Sequence, residues 1–323
     1  MPNIYLVSEI DFSRGFGHII RLNNLASNFQ SQKKIFFLLK KKNKFNDNVL
    51  DYPLINFNEK NTKRLLNERN AIFILDIAVI NKRLKLFFEK ISKLNIVIVI
   101  FHKKINYIKY DYLIIPHITK SEYKDKNIIY GRNSLIFNKE ILKRDKEKKN
   151  KKFVLYINMG ASDNENFTLK VLKNLKYFYN DRKFVIKVLK GPFYKSKLKR
   201  YLKSIERQAS NIKILSNQKN YIKNMKNISF AIINSGNIKY EIAKLGKPFI
   251  LISNDPLSTK FCNYFINYLY CIKFKSFKVP NETFIKKYIL KLIKNKREIN
   301  KFKKNKIVIS SKKIENLCKN LQK

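Results

Sequence analysis

Short, continuous runs of apolar residues recur along the chain and alternate with stretches in which apolar residues return every three or four positions. The runs are rich in Ile, Val and Phe, and runs of this kind are typical of parallel strands that are covered on both faces. In the first half they predict strands at Ile4–Val7, Ile35–Leu39, Ile72–Asp76, Ile96–Phe101 and Tyr112–Pro116. In the second half they predict strands at Val154–Asn158, Phe184–Leu189, Ile212–Leu215, Phe230–Asn234 and Phe249–Ile252.

Helical spacing marks the segments between the runs, for example Leu84–Leu94, Thr168–Phe178 and Tyr240–Leu245. Strand–helix alternation in both halves predicts two parallel α/β sheets, and a length of 323 residues is enough for two domains. Two such domains would form a cleft at the carboxyl ends of their strands, where ligands of open parallel sheets bind.

A highly charged segment, NKEILKRDKEKKNKK, separates the two halves and is typical of an exposed linker. We therefore expect an N-terminal domain over residues 1–140, a linker over 141–152, and a C-terminal domain over 153–300. The remaining residues, 301–323, keep Ile and Leu at helical spacing and predict a C-terminal helix rather than a free basic tail.

The formal net charge is +47, from 70 Lys plus Arg against 23 Asp plus Glu. Of these basic residues 59 are Lys, Asn occurs 40 times, and Ala and Gly occur 7 times each. Lys, Asn, Ile, Phe and Tyr have A/T-rich codons, so a biased genome is the simplest account of the charge. Nucleic-acid binders recruit Arg, whose planar guanidinium grips phosphate bidentately, so we expect no nucleic-acid partner. Attraction to anionic substrates, or weak association with an anionic membrane surface, is the alternative.

No apolar run approaches the ~20 residues of a membrane-spanning helix, and the sequence MPNIYLVSEI lacks the features of a signal peptide. The three cysteines, Cys262, Cys271 and Cys318, form no CxxC pair and indicate neither a disulfide framework nor a zinc site. We therefore expect a cytoplasmic monomer with no metal and no cofactor.

Two of the seven glycines, Gly15 and Gly17, follow the first predicted strand in the segment DFSRGFGHIIRLNNLA. They allow close approach of a ligand, and the helix that starts near His18 offers free N–H groups and a positive dipole end. A histidine there would be held neutral, as a general base near pH 7 must be, and Arg21 lies one turn further on. A glycine-rich turn with a capping histidine is the alternative.

Two loops of the second half also follow predicted strands. Gly160, Ser162 and Asp163 end a strand and begin a helix, for which a plain N-cap is the alternative explanation. Asn254 lies in the loop after another strand and could reach the same cleft as the first loop.

A third loop, Ser235, Gly236 and Asn237, lies between a strand and a helix whose N-terminal amides could hold a diphosphate. Glu241 sits one turn inside that helix, where a carboxylate would suit the vicinal hydroxyls of a ribose. An ordinary first-turn acid favoured by the helix dipole is the alternative.

Other candidates carry a weaker signal. Asp76 ends a strand at the cleft edge and is either functional or the start of a turn. His102 and His117 also lie near strand ends, but no carboxylate or cysteine spacing makes them metal ligands.

At these loops the sequence resembles the UDP-2,4-diacetamido-2,4,6-trideoxy-β-L-altropyranose hydrolases of pseudaminic acid synthesis. These enzymes are relatives of the spore-coat polysaccharide proteins and of the glycosyltransferases that make lipid II. The matching segments occur in the family's order and cover most of the chain: GFGHIIRLNNLA (15–26), YGRNSLIF (130–137), VLYINMGASDNENFTLKVLKNL (154–175), VIKVLKGP (185–192) and FAIINSGNIKYEIAKLGKPFILISND (230–255).

The resemblance implies a GT-B-like fold, with two Rossmann-like domains that bind a UDP-sugar across a cleft. The second domain would hold UDP, with Ser235–Asn237 on the diphosphate and Glu241 on the ribose. His18 would activate a water molecule to attack the anomeric carbon, so that UDP leaves with inversion and without a metal. Gly15, Gly17, Arg21, Gly160 and Asn254 would contact the substrate.

The chain departs from the family's pattern at several loops. Phe101-His102 stands where the family usually has two aspartates, and Asn234–Asn237 lacks the usual second glycine. The resemblance as a whole implies a hydrolase that converts a UDP-linked diacetamido-trideoxy sugar to the free sugar and UDP in surface-glycan synthesis of the pseudaminic acid type. A glycosyltransferase of the same fold, an inactive member and a basic binding protein stay open as alternatives.

Overall fold

The computed structural model describes residues 2–9, 17–29, 34–40, 52–142, 151–216, 221–253, 256–274 and 278–322. These residues form two compact units. Unit 1 contains the described residues up to Lys139 together with those from Ser310 onward, and unit 2 contains those from Glu140 to Ile309. Each unit is built around its own parallel sheet.

The sheet of unit 1 has seven parallel strands in the order β3-β2-β1-β4-β5-β6-β7. Their bounds are β1 Ile4–Glu9, β2 Ile35–Lys40, β3 Leu54–Asn56, β4 Ile72–Asp76, β5 Ile96–Ile100, β6 Tyr112–Ile114 and β7 Ile128–Ile129. The strand order reverses between β1 and β4, which are neighbours although β2 and β3 lie between them in sequence. In open parallel sheets, ligands bind outside the carboxyl ends of the strands at such a reversal.

Three helices cover this sheet, α1 Gly17–Ala26, α2 Glu59–Leu65 and α3 Lys82–Ile91. A short helix, α4 Lys139–Leu142, begins at the last residue of this part of unit 1 and continues into unit 2. Asn58 and Asn81 cap α2 and α3, since their side chains accept hydrogen bonds from the backbone N–H groups of Asn61 and Leu84. The core beneath includes Phe73, which is fully buried.

The sheet of unit 2 has six parallel strands in the order β10-β9-β8-β11-β12-β13. Their bounds are β8 Phe153–Asn158, β9 Phe184–Leu189, β10 Ile212–Leu215, β11 Phe230–Asn234, β12 Phe249–Ile252 and β13 Ile272–Phe274. Its helices are α5 Phe167–Lys173, α6 Ser196–Gln208, α7 Tyr221–Lys226, α8 Ile238–Leu245, α9 Pro256–Ile266, α10 Glu282–Lys294, α11 Lys296–Lys303 and α12 Asn305–Val308. One core cluster joins this sheet to α5, α6 and α10.

All ten predicted strands are present, and five of them have the predicted bounds residue for residue. The prediction missed β3, β7 and β13, which have two or three residues each and lie at or near sheet edges, where no long apolar run is needed. The predicted helix Thr168–Phe178 is divided into α5 and a 3-10 turn at Lys176–Phe178.

The last helix, α13 Lys312–Asn320, belongs to unit 1 although it follows the whole of unit 2 in sequence. The Leu135 N–H donates to the carbonyl of Ser310 at 3.2 Å, and the Ser310 N–H donates to the carbonyl of Arg132 at 2.9 Å. The segment predicted as one C-terminal helix over 301–323 therefore contains the end of α11, then α12 and α13.

Candidate functional site

In unit 1, the strand reversal brings together two residues that are 58 positions apart in sequence, His18 and Asp76. His18 is the second residue of α1, which follows β1, and Asp76 is the last residue of β4. Val7 of β1 pairs with Leu75 of β4, so the ends of the two strands lie side by side. The sheet order therefore places both side chains at one carboxyl edge.

The Asp76 carboxylate is fully buried and accepts three hydrogen bonds. His18 Nδ1 donates to Asp76 Oδ1 at 2.6 Å. Arg21 Nη2 donates to the same oxygen and Arg21 Nε donates to Oδ2, both at 2.6 Å, which is a bidentate fork. The Ser8 hydroxyl donates to the backbone carbonyl of Asp76 at 2.8 Å and fixes the end of the strand.

Burial alone would raise the pKa of Asp76. The positive charge of Arg21 is the strongest effect in the opposite direction. The charge of His18 and the hydrogen bonds from His18 and Arg21 add to it, so the pKa of Asp76 lies below its ordinary value. Asp76 is therefore an anion at neutral pH, held in place by a guanidinium that is itself buried.

This pairing fixes the tautomer of His18. Because Nδ1 donates its proton to a carboxylate, the neutral ring keeps its lone pair on Nε2. Arg21 Nη2 also lies 3.1 Å from Nδ1, but two donors face each other there and make no hydrogen bond. The His18 side chain is 24% exposed, so the ring is accessible. An imidazole held in this way can accept a proton at Nε2, and the role of His18 as a general base stays a prediction.

The other predicted residues of the first loop are placed differently. Gly17 is the first residue of α1 and is exposed, with no atom within 4 Å of where a Cβ would be. Arg21 is 8% exposed and engaged with Asp76, so its contact with a substrate stays a prediction. Gly15 and Asn254 lie outside the described residues.

In unit 2, the loops after the adjacent strands β9, β8 and β11 pack tightly against one another. Gly160 has φ +88°, and a Cβ there would lie 2.6 Å from Asn234 Nδ2. A Cβ on Gly191 would lie 2.2 Å from the backbone oxygen of Ala161. Gly160 is therefore favoured by its positive φ, whereas Gly191 is required because backbone atoms leave no room for a Cβ.

Polar side chains fix the loop after β8. Asn158 Oδ1 accepts a hydrogen bond from the Gly160 N–H at 2.9 Å. Asp163 accepts hydrogen bonds from the N–H groups of Phe167 and Thr168 at 2.8 and 2.9 Å, so it caps α5. Burial raises the pKa of Asp163, although these bonds act in the opposite direction.

The loop before α8 is held by a lysine that the sequence analysis missed. Lys239 is 1% exposed, and its Nζ donates to the carbonyls of Ser235 and Gly236 at 2.7 and 3.3 Å. The Gly236 N–H donates to Asn234 Oδ1 at 3.2 Å, and Asn237 precedes the first residue of the helix. In a chain with 59 lysines, no feature of the sequence indicates that Lys239 is buried.

Glu241 lies in the first turn of α8 and is 4% exposed. Tyr221 donates its hydroxyl hydrogen to Glu241 Oε1 at 2.8 Å. Burial raises the pKa of Glu241 to about 7, and the bond from Tyr221 opposes part of that rise. This carboxyl group therefore titrates near neutral pH, and its contact with a ribose stays a prediction.

The residues with the weaker sequence signal behave differently from one another. Asp76 is central to the site in unit 1, whereas the His102 ring packs 4.4 Å from that of Phe101. Burial, followed by the charge of Lys103, lowers the pKa of His102. Within the described ranges, no group of three or more His, Cys, Asp or Glu side chains is arranged to hold a metal ion. In the same ranges, no helix has the length and apolar character needed to cross a bilayer.

Comparison with solved structures identifies the class of fold. The calicheamicin glycosyltransferase CalG4 matches with a TM-score of 0.60 and 9% identity, over 99% of this chain and 98% of that one. S. aureus MnaA, solved with UDP, matches with a TM-score of 0.61 and 10% identity, over 98% and 94% of the two chains. The UDP-GlcNAc 2-epimerase of Neisseria meningitidis, solved with UDP-GlcNAc, matches with a TM-score of 0.58 and 10% identity, over 99% of both chains.

The chain therefore has a GT-B-like α/β fold with two Rossmann-like parallel-sheet domains, and the predicted fold class is confirmed. No protein-family model matches the sequence, and no curated protein matches it either. Membership of the hydrolase family stays a prediction.

Proposed function

We propose that this protein hydrolyses a UDP-linked diacetamido-trideoxy sugar to the free sugar and UDP, in the synthesis of a surface glycan of the pseudaminic acid type. The observation that carries the proposal is the contact of 2.6 Å between His18 Nδ1 and the buried Asp76 carboxylate. UDP and UDP-GlcNAc, bound by two proteins of the same fold, support a UDP-sugar as the ligand. The choice of sugar follows from the sequence resemblance.

In the proposed reaction, His18 Nε2 takes a proton from a water molecule as the water oxygen attacks the anomeric carbon. The bond between that carbon and the diphosphate oxygen breaks, and UDP leaves with the electron pair. Asp76 keeps the ring in the productive tautomer and stabilises the imidazolium that forms. Arg21 acts as a positioning residue, since its guanidinium keeps Asp76 ionised and fixed in place.

Unit 2 would hold the nucleotide. Ser235, Gly236 and Asn237 precede α8, whose first N–H groups suit a diphosphate. Lys239 supports this role, because its ammonium binds the carbonyls of Ser235 and Gly236 and thereby holds the loop in one conformation. Gly160 would contact the sugar, and Glu241 the ribose.

The test is release of UDP from a UDP-linked diacetamido sugar in the absence of any acceptor. We expect the wild-type protein to release UDP and His18→Ala to release it at least a hundredfold more slowly, since a general base contributes about 10²–10⁴-fold. The UDP dissociation constant, measured by calorimetry, should not change. His102→Ala is the matched control, because the His102 ring packs against Phe101 and not against Asp76, and it should retain activity. Full activity of His18→Ala would refute the proposed base.

A glycosyltransferase is the second candidate, supported by the likeness to CalG4. The same histidine could take the proton of an acceptor hydroxyl instead of that of water. In that case UDP is released only when an acceptor is added. Conversion of the UDP-sugar without UDP release would instead indicate an epimerase, and UDP binding without any turnover an inactive protein.

A further inference from the structure

Unit 1 has a concave surface away from His18 and Asp76, the α2–α3 groove, with a volume of about 460 Å³. This volume is in the range of about 300–1,000 Å³ that is typical of ligand pockets. Its apolar lining comes from Phe57, Leu66, Leu86 and Phe87. The rings of Phe57 and Phe87 meet edge to face with centroids 5.2 Å apart, and Phe87 is buried beneath the surface.

Leu86 belongs to the apolar part of the lining and is nevertheless 48% exposed. It follows Lys85 on α3 and directly precedes the buried Phe87 and Phe88. An exposed leucine beside an apolar groove is a feature of surfaces that bind an apolar partner, whereas isolated exposed leucines are common.

Cations surround this lining. Lys82, Arg83 and Lys90 also line the groove, and all three are exposed. The acids nearby do little to neutralise them, because Glu59 lies 3.7 Å from Arg83 in a highly exposed pair and Glu89 is paired with Lys85. The groove therefore combines an apolar lining with exposed positive charges, and Thr62 is its one uncharged polar lining residue.

We propose that the α2–α3 groove binds a hydrocarbon chain of an anionic membrane lipid, with the lipid phosphate against Lys82, Arg83 and Lys90. A sugar or nucleotide would leave hydroxyl groups unpaired against the apolar lining, which is costly. An anionic amphiphile satisfies both parts of the groove, and the net charge of +47 favours approach to an anionic leaflet. This site lies on α2 and α3, whereas the proposed reaction uses α1 and β4.

The test is co-sedimentation of the full chain with vesicles of phosphatidylcholine and phosphatidylglycerol at 70:30, in 0.15 M NaCl. Leu86→Glu places a charge in the groove and should lower the partition coefficient at least tenfold. Leu290→Glu is its matched control, because Leu290 is 42% exposed on α10 in unit 2. That control should stay within threefold of the wild type.

The charged rim is tested by the double variant K82S/K90S. Each basic residue near an anionic surface contributes about 1 kcal/mol, so we expect a loss of about thirtyfold. The control K287S/K294S removes the same charge from exposed positions of α10 and should lose less than threefold.

Equal losses in the two lysine pairs, with no effect of Leu86→Glu, would mean that the overall charge alone drives binding and would overturn the proposal. No binding to the anionic vesicles, or equal binding to pure phosphatidylcholine, would overturn it as well. UDP release should be unchanged in all four variants, so this outcome is separate from that of the proposed reaction.

Discussion

At the scale of single residues, one buried carboxylate organises the site of unit 1. Asp76 joins an accessible histidine to a buried arginine, and its hydrogen bonds with Ser8, His18 and Arg21 are 2.6 to 2.8 Å long. A buried charge persists only when its hydrogen bonds are satisfied, and here both carboxylate oxygens are engaged. Removal of this charge would therefore affect both stability and the orientation of His18.

Asp76→Asn tests this double role. Removing one partner of a buried ion pair lowers the free energy of unfolding by about 3–5 kcal/mol, and here Arg21 would keep a buried, unpaired charge. The amide can also donate to Nδ1 and shift the His18 proton to Nε2, so kcat for UDP release should fall at least about a hundredfold. Urea unfolding and steady-state kinetics measure the two effects.

If Asp76 had only a structural role, the result for Asp76→Asn would be different. In that case stability would fall while kcat, measured well below the unfolding temperature, would stay near the wild-type value. The double variant Arg21→Met with Asp76→Leu should recover part of the lost stability, since it removes both charges, but it should not recover turnover.

Glu241 gives unit 2 a pH dependence of stability. Its pKa rises from 4.5 in the unfolded chain to about 7 in the folded one, so the folded state holds the extra proton between these values. Stability from this group is therefore complete below pH 4.5, decreases as the pH rises toward 7, and changes by about 3 kcal/mol in total.

Glu241→Gln should remove this slope, because glutamine keeps the shape and does not titrate. The measurement is the free energy of unfolding at pH 5 and pH 8 for both proteins. We expect the wild type to lose more stability than the variant over that interval. An identical pH dependence of the two proteins would contradict the raised pKa.

At the scale of elements, the loops of unit 2 are close-packed because neighbouring parallel strands end at the same edge. Gly191 shows this most clearly, since a methyl group there would overlap the backbone of Ala161. Gly191→Ala should cost about 1–3 kcal/mol, because the backbone oxygen it meets cannot rotate away. Gly17→Ala is the control, in open space on a helix, and should be neutral or slightly stabilising.

Thermal unfolding of both glycine variants, with UDP titration, checks this prediction. The loop of Gly160 and Ala161 should shift in Gly191→Ala and weaken UDP binding if unit 2 holds the nucleotide. If Gly191→Ala were as stable as the wild type, the loops would be packed less tightly than these contacts indicate.

At the scale of the whole molecule, the chain leaves unit 1 at Lys139 and returns to it at Ser310. The segment that returns to unit 1 contains α13, and Ile314 of this helix is fully buried. Unit 1 therefore depends on the last residues of the chain, whereas the core of unit 2 is continuous in sequence.

Ile314→Ala should destabilise unit 1 by about 2–5 kcal/mol, the usual cost of truncating a buried isoleucine. Hydrogen exchange should show faster exchange in β1 and β4, with β8 and β11 protected as before. Ile289→Ala, which is equally buried in α10, should give the opposite distribution. Loss of protection in unit 2 first would contradict the assignment of α13 to unit 1.

The sequence by itself determined the two parallel sheets, because strands that are buried on both faces must be apolar throughout and such runs are unmistakable. It also located the histidine at a helix start, because glycine is rare in this chain and two glycines precede His18. It did not predict short edge strands such as β7, which need no apolar run.

Only the tertiary structure decided the partners of these residues. His18 and Asp76 are 58 residues apart, and they meet because β1 and β4 are neighbours in the sheet. The burial of Lys239 is also a result of the tertiary structure, since nothing distinguishes this lysine from the others in the sequence. Apolar periodicity is local and can be read along the chain, whereas the pairing of charges depends on strand order, which the local sequence does not encode.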